Sequence, residues 1–447
     1  MNESKLLRRV VIASLIGATV EWYDFFLYGV VAGIVFNHLY FPAGNPLVAT
    51  LLAYTTFAVG FVTRPLGGVI FGHFGDRLGR KSMLVLTLMI MGVATFLIGL
   101  VPTYNQIGVW APITLLLLRV LQGIGLGGEW GGAVLMTYEY AKPEERGFYA
   151  SLPQIGLSIG LCLASGVVAL LSYTLTNEQF LSWGWRVGFV LSFILVVIGL
   201  YIRLNIMETP EFAQLKEQRR EAKVPFASMI ADYPKEVLAG MGARFIDGVF
   251  FNIFGVYSIA YLTSQLKVPR TEALLGVTAA ALIMCLFIPW FGRMSDRLGR
   301  TRVYGWGSLI TGLSALPAFW IWSAFPDQPA MVWIGLIVPF GILYASIYGP
   351  EAALFCDLFK PQVRYTGISF VYQFSGIFAS GLTPIIATAL VQAYGGNGGW
   401  AIAIYCVFAG VVSALSAVWI SALARRRIEP HSLGDIGYVA GRVGTTR

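Results

Sequence analysis

Charge is scarce in this chain. Lys, Arg, Asp and Glu make up 12% of its 447 residues, where a water-soluble globule carries about 25%. A large soluble core does not explain the deficit, because apolar runs of roughly 20 residues recur along the whole length, as membrane spans require. Cysteine is scarce too. Cys162, Cys285, Cys356 and Cys406 lie inside apolar runs without metal-ligand spacing, which argues against a disulfide framework or a zinc site and for buried, reduced thiols. The three histidines, His38, His73 and His431, are dispersed and offer no metal site. A Walker A sequence is missing, which argues against ATP-driven chemistry within this chain. No nucleophile–base constellation stands out among the spans, so an enzyme is not expected, and neither is a cofactor or a metal. What abounds is apolar: 57% of residues are hydrophobic and the mean hydropathy is +0.71.

The hydrophobic segments fall at about 10–39, 47–71, 83–101, 109–138, 147–173 and 183–204, then at about 236–263, 271–291, 303–323, 330–355, 364–392 and 399–422. This pattern predicts an all-α polytopic membrane protein with twelve spans in two sets of six. Its parts are an N-terminal bundle (1–204), a linker (205–235), a C-terminal bundle (236–424) and a tail (425–447). The linker, with Glu208, Glu211, Lys216, Arg219, Arg220, Glu221 and Lys223, mixes both signs at helical spacing and reads as a solvated amphipathic connection. Lys5, Arg8 and Arg9 precede the first apolar run. That run is too long for a signal peptide, contains acids and lacks a small-residue cleavage site, so it reads as a retained first span. The basic loops alternate with nearly uncharged ones, which places both termini in the cytoplasm by the positive-inside rule. The same asymmetry accounts for the net charge of +8 and gives no reason to invoke nucleic acid.

The chain repeats itself at half length. FGHFGDRLGRK (Phe71 to Lys81) returns as FGRMSDRLGRT (Phe291 to Thr301), 220 residues on. EYAKPEER (Glu139 to Arg146) returns as DLFKPQVR (Asp357 to Arg364), 218 residues on. Two motifs at nearly one offset indicate a duplicated six-span unit, the arrangement expected where two bundles rock about a central site. Gly72 and Gly79 suit close approach and a sharp turn. Asp76 is placed to cap the next helix or meet an arginine. Arg77 and Arg80 are placed to bond carboxylates such as Glu139, while Asp296, Arg297, Arg300 and Asp357 repeat the pattern in the second half. With Arg146 and Arg364, these residues form a predicted cytoplasmic latch, closed while the molecule opens outward. A channel is the rival, but repeated latches suit alternating access better.

G-x-x-x-D-R-x-G-R-[KR], present in both halves, resembles the loop signature of the major facilitator superfamily. RVLQGIGLGGE (Arg119 to Glu129) is similar to that family's fourth-span motif. VEWYDFFLYG, FVTRPLGGVIFGHFGDRLGRK and LGGEWGGA resemble its metabolite:proton symporter branch, which includes permeases for shikimate, α-ketoglutarate, citrate, proline and betaines. The resemblance covers nearly the whole chain and is densest over residues 15–210. It implies two pseudo-symmetric six-helix bundles and proton-coupled transport of a small solute.

Ionisable residues inside spans cost roughly 2.5–3.5 kcal/mol and mark functional candidates. Here they are Glu21, Asp24, Arg64, Arg119, Glu129, Arg244, Asp247 and Glu351. Arg186 lies near an outer helix end and snorkels. Gly17, Glu21, Asp24 and Tyr28 share one helical face, with Glu21 roughly 16 Å from the cytoplasmic start, near the midplane. Arg119, Gln122, Leu126 and Glu129 share another, with Arg119 and Glu129 about 15 Å apart along the axis. The resemblance places these first and fourth spans on a common cavity. Burial favours a neutral carboxyl group and a nearby arginine a charged one, so an acid held between them can exchange a proton. Asp24 and Glu129, then Glu21, are therefore the expected proton carriers, with Arg119 modulating them. The embedded arginines, Arg64, Arg119 and Arg244, favour an anionic substrate. Tyr28, Trp130, Gln154, Tyr257, Tyr372 and Gln373 are candidates for pocket walls and amide hydrogen bonds. Arg244 and Asp247, three apart, can neutralise each other. Glu351 has an apolar counterpart in the family it resembles, and reads as a cavity acid or as the partner of a nearby arginine.

Gly123-x-Gly125-x-x-Gly128 matches a dinucleotide fingerprint but lies in an apolar span without a βαβ context, so it reads as helix packing. The expected function is proton-coupled uptake of a small organic acid, shikimate-like, aromatic or dicarboxylic, by a monomer in a bacterial-type cytoplasmic membrane. The alternative is a zwitterion such as proline or betaine. The expected partners are that solute, the proton and the lipid bilayer.

Overall fold

The computed structural model describes residues 3–41, 46–204, 213–214, 225–394 and 398–434. The named charges of the central linker and the end of the tail lie outside them. Among the described residues every regular element is a helix, with no strand.

Twelve long helical segments follow one another. In the first half these are α1 (Glu3–Val31), α2 (Pro46–Leu78), α3 (Arg80–Ile98), α4 (Trp110–Tyr140), α5 (Ile155–Thr174, entered through the short helix Arg146–Ser151) and α6 (Trp185–Leu204). In the second they are α7 (Pro234–Phe251), α8 (Arg270–Leu298), α9 (Arg300–Ala324), α10 (Ala345–Leu358), α11 (Arg364–Gly376) and α12 (Gly399–Gly434). By length and composition alone, ten described segments qualify as membrane spans. α2 and α9 complete the set through packing, α2 against α4 and α9 against α12. α12 runs past the predicted span end at residue 422, to Gly434.

The tight loops between α2 and α3 and between α8 and α9 turn on glycines with positive φ, Gly79 at 118° and Gly299 at 95°, a conformation that a side chain would strain. Helix packing in lipid rests on close van der Waals contact and small residues, and the glycine run of α4 supplies it. A Cβ on Gly123 would lie 2.5 Å from the Gly60 carbonyl oxygen of α2, and one on Gly125 3.1 Å from the Met91 nitrogen of α3. The run is therefore a packing seam. The two bundles meet mainly where α2 packs on α11, where α8 packs on α5, and where the short helix Arg146–Ser151 packs on α8 and α10.

Three helices of the second bundle loosen into π-helical turns at mid-depth: Asn252–Tyr257 after α7, Ile337–Leu343 before α10 and Ile377–Gly381 after α11. Such turns often mark functional sites, and these three flank the cavity described next.

Candidate functional site

A small cavity of about 20 Å³ lies between the bundles, room for roughly one water molecule. Arg64 enters it from α2, and Arg244 with Asp247 from α7. Trp22, Phe25 and Phe61 wall it from the first bundle, and Phe251, Tyr344 and Tyr372 from the second. Asn252 and Ser380, both on π turns, add amide and hydroxyl groups.

Aromatic faces hold both arginines. The Arg64 guanidinium carbon lies 4.6 Å from the Phe61 ring centre and 5.1 Å from that of Phe25. Glu21 lies close enough to act on it electrostatically. The Arg244 guanidinium sits 4.0 Å from the Tyr372 ring centre, and that ring stacks on Trp130 of the other bundle at 3.7 Å and 12°. Asp247 forms an ion pair with Arg244 and accepts a hydrogen bond from the Tyr344 hydroxyl. Cation–π contact and an ion pair hold these heads in place while leaving guanidinium N–H groups for a ligand.

Beside the cavity, amides tie the bundles together. Trp130 Nε1 donates to Gln154 Oε1 at 2.8 Å, and Gln154 Nε2 donates to the Tyr348 carbonyl at 2.8 Å. Gln373 Nε2 reaches the carbonyls of Leu126 and Gly127 at 3.3 and 3.2 Å. Trp130, Gln154 and Gln373, expected at the pocket wall, do not line the cavity; they tie the bundles behind it, Trp130 through its stack on the cavity residue Tyr372. Tyr257 is half-buried on the π turn beyond Asn252 and does not line the cavity.

A second network lies inside the first bundle. Asp24 on α1, fully buried, accepts a hydrogen bond from Thr95 of α3 at 2.9 Å. The Thr95 hydroxyl accepts one from Gln122 Nε2 at 2.7 Å, and Arg119 donates to Gln122 Oε1. Arg119 lies 4.1 Å from the Tyr28 ring centre, and the Tyr28 hydroxyl donates to Thr56 at 2.7 Å. Arg119 and Tyr28 therefore serve this internal chain and do not line the cavity, contrary to the substrate-binding expectation. Glu129 accepts from Thr87 at 3.0 Å, about 12 Å along α3 from Thr95 at helical rise. The face shared by Arg119 and Glu129 thus ends in two separate sites.

The repeated motifs meet at one end of the molecule. Asp76 accepts from the backbone N–H of Tyr365 at 3.3 Å and of Thr366 at 2.9 Å, and from the Thr366 hydroxyl at 2.9 Å. Asp296 accepts from the N–H of Gly147 at 2.7 Å and of Phe148 at 2.9 Å. Each aspartate thus caps a helix of the opposite bundle, where the exposed N–H groups and the helix dipole favour an anion. Gly72 makes room for this, since a Cβ there would lie 2.7 Å from Thr366 Cα. Arg80 bonds Glu139 at 3.3 Å and lies 3.4 Å from Asp76. Arg364 reaches Glu139 across the bundles at 3.4 Å. Arg300 pairs with Asp357 and, at 3.3 Å, with Asp296. Tyr138 donates to Asp357 across the interface, and Arg146 lies 4.4 Å from the Tyr138 ring centre.

Two expectations about the latch also need correction. Arg77 and Arg297 are exposed and turned away from these carboxylates. The positive-φ glycine after each of them redirects the chain, so that Arg80 and Arg300 point inward instead. Asp76 reaches the other bundle's helix start, where the sequence suggested the next helix of its own half. Tyr138 escaped notice, as did the cavity aromatics Trp22, Phe25, Phe61 and Phe251. These bonds join the two bundles at the end of the molecule that carries the repeated motifs.

The sequence profile described as "Sugar (and other) transporter" matches residues 10–236, and that of the "Major Facilitator Superfamily" matches residues 240–443. Among curated proteins, the chain is 42% identical to the shikimate transporter of Escherichia coli (strain K12) over 420 residues, 92% of this chain and 94% of that one. It is 34% identical to the proline/betaine transporter of the same organism over 395 residues, 86% of this chain and 78% of that one. Among solved structures it resembles the proton:xylose symporter XylE bound to 6-bromo-6-deoxy-D-glucose, with a TM-score of 0.76 and 15% identity over 95% of this chain and 96% of that one. That likeness is one of fold.

Proposed function

Since the chain belongs to the major facilitator superfamily and is a multi-pass membrane transporter, we propose that it carries a small carboxylate-bearing solute of the shikimate class into the cell together with a proton. One observation carries the reading: Arg64 and Arg244, from opposite bundles, face a single aromatic-walled cavity. Two planar guanidinium groups suit bidentate recognition of a carboxylate and of ring hydroxyls. A ligand bridging them joins the bundles at the point about which they rock. The greater identity to a shikimate transporter than to proline/betaine transporters favours the same class.

In this reading the proton passes by way of Asp24, with Arg119 as its modulator through Thr95 and Gln122. Glu129 and Glu21 are secondary members of the set. The latch of Asp76, Asp296, Arg80, Arg300, Glu139, Asp357 and Arg364 closes the cytoplasmic exit. The membrane is a bacterial inner membrane with both termini in the cytoplasm, a placement that rests on the distribution of basic loops.

A second reading has its own support. Trp22, Phe25, Phe61, Phe251 and Tyr372 form an aromatic box beside the Asp247 carboxylate, and such boxes receive quaternary ammonium groups. A betaine or proline would place its cation there and its carboxylate on an arginine. Uptake into proteoliposomes separates the two. Saturable shikimate accumulation driven by an inward proton gradient, unaffected by excess glycine betaine, is the expected result. Betaine accumulation without shikimate uptake would replace the first reading with the second.

A further inference from the structure

Glu351 has no role in the account so far. It lies on α10, fully buried, and neither of its carboxyl oxygens has a hydrogen-bond partner among the described residues. The nearest charge is Arg244, whose Nε lies 3.8 Å from Glu351 Oε1, while Asp247 holds the same guanidinium by a closer ion pair. Tyr304 from α9, Tyr372 from α11, and Tyr348 one turn back on its own helix are the remaining titratable groups that act on it. Arg244 therefore stands between two carboxylates. Asp247 lines the cavity and Glu351 does not. Glu351 lies about 9 Å along α10 from the latch residue Asp357 at helical rise.

We propose that Glu351 is a proton-carrying group of the substrate site itself, neutral while another carboxylate holds Arg244 and charged when it takes Arg244 for its own. The proposal rests on the carboxylate reading above and adds to it a residue that answers the substrate's charge directly. A buried carboxylate without a hydrogen bond carries a large desolvation cost, and two carboxylates on one arginine cannot both be neutralised by it. In the closed state seen here Asp247 occupies Arg244, so Glu351 holds a proton. An incoming substrate carboxylate joins Arg244 and leaves Glu351 neutral. When the cytoplasmic latch opens, the substrate departs and the Glu351 O–H bond breaks, its proton passing to water. The resulting carboxylate moves onto Arg244 in the substrate's place, while water entering the opened cavity hydrates Asp247, which lines it. On return to the outward side Glu351 regains a proton from the medium and releases Arg244. The loaded and the returning carrier thus bear the same charge at this site, and one proton moves with each substrate anion.

The test uses full-length purified protein. Infrared spectra at neutral pH without substrate are expected to show a neutral-carboxyl C=O band that is lost in Glu351→Gln. Asp247→Asn is expected to lose it too, because Glu351 alone then neutralises Arg244. In proteoliposomes with shikimate as probe, Glu351→Gln is expected to retain counterflow exchange and to lose at least 10-fold of the accumulation driven by a pH gradient. Persistence of the band in Glu351→Gln, or wild-type accumulation by that variant, overturns the proposal. If Glu351→Gln does not reach the membrane, a band that survives in Asp247→Asn overturns it equally. A wild-type protein that moves no shikimate refutes the substrate reading, while the infrared bands still decide the role of Glu351.

Discussion

Replacing Asp76 or Asp296 by alanine is expected to open the cytoplasmic side. Asp76 receives two backbone N–H groups and a hydroxyl of α11 at 2.9–3.3 Å, and Asp296 receives two N–H groups at 2.7 and 2.9 Å. All of these donors sit at helix starts of the opposite bundle, so they lose their acceptor only in the closed state. In the open state water serves them. Hydrogen bonds to a charged group are worth about 1.5–3 kcal/mol, so each substitution should move the closed–open equilibrium by roughly 10- to 150-fold toward open. The two caps lie on different helix pairs, so the double variant should show close to the product of the single effects.

Spin labels on cysteines placed at the exposed positions Lys142 and Lys360 report the separation of the two bundles. The four native cysteines are replaced by alanine, and pulsed electron paramagnetic resonance gives the distance distribution. A longer-distance population should appear in each single variant and dominate in the double. If the distributions of Asp76→Ala and Asp296→Ala match the parent at every distance, the crossed caps contribute nothing to closure and the reasoning fails.

Three further outcomes follow. Gly72→Val places side-chain atoms where Thr366 Cα lies, 2.7 Å from an ideal Cβ; it should shift the same label pair toward open without lowering the amount of folded protein recovered. Asp76 lies beyond the apolar run of α2, and burial pushes its carboxyl up to about 6, from 3.8 in water, against the pull of Arg80 and the Thr366 donors. The closed state therefore binds this proton more tightly than a water-exposed open state, so the closed population should rise as pH falls from about 6 to about 4 and flatten in Asp76→Asn, read with the same labels. Trp130→Phe keeps the stack on Tyr372 but removes the donor to Gln154; it should cost about 1 kcal/mol of inter-bundle stability and less transport than Trp130→Ala, measured by thermal unfolding and uptake.

Much of the architecture was legible because its signals are local or periodic. Apolar runs give the spans, and two motifs at one offset give the halves. Arg80 with Glu139 and Arg300 with Asp357 follow from motifs that end spans at the same membrane face. The destinations of Asp76 and Asp296 were not legible, because their partners lie 289 and 149 residues away in the chain. Nothing local distinguishes a carboxylate that caps its own helix from one that caps a distant helix. Arg77 misled for a related reason, since one glycine decides which of two neighbouring arginines faces inward. The aromatic walls were hidden by their surroundings: Phe25, Phe61 and Phe251 offer no contrast within apolar, aromatic-rich spans. Glu351 was visible as an anomaly, but its meaning depended on Arg244, which belongs to a different helix.

The crossed caps also bear on how such a chain arises. Asp76 binds the backbone at 365 and 366, and Asp296, its repeat, binds it at 147 and 148, which are the repeats of those two positions. In an isologous dimer, residue i of one subunit meets j of the other while j meets i. The latch obeys that rule within one polypeptide. Two copies of a single six-helix unit would already form both caps from one sequence, so fusing the copies had no new interface to invent. Within the fused chain the halves differ elsewhere, as Tyr138 opposite Cys356 shows, while both caps are kept.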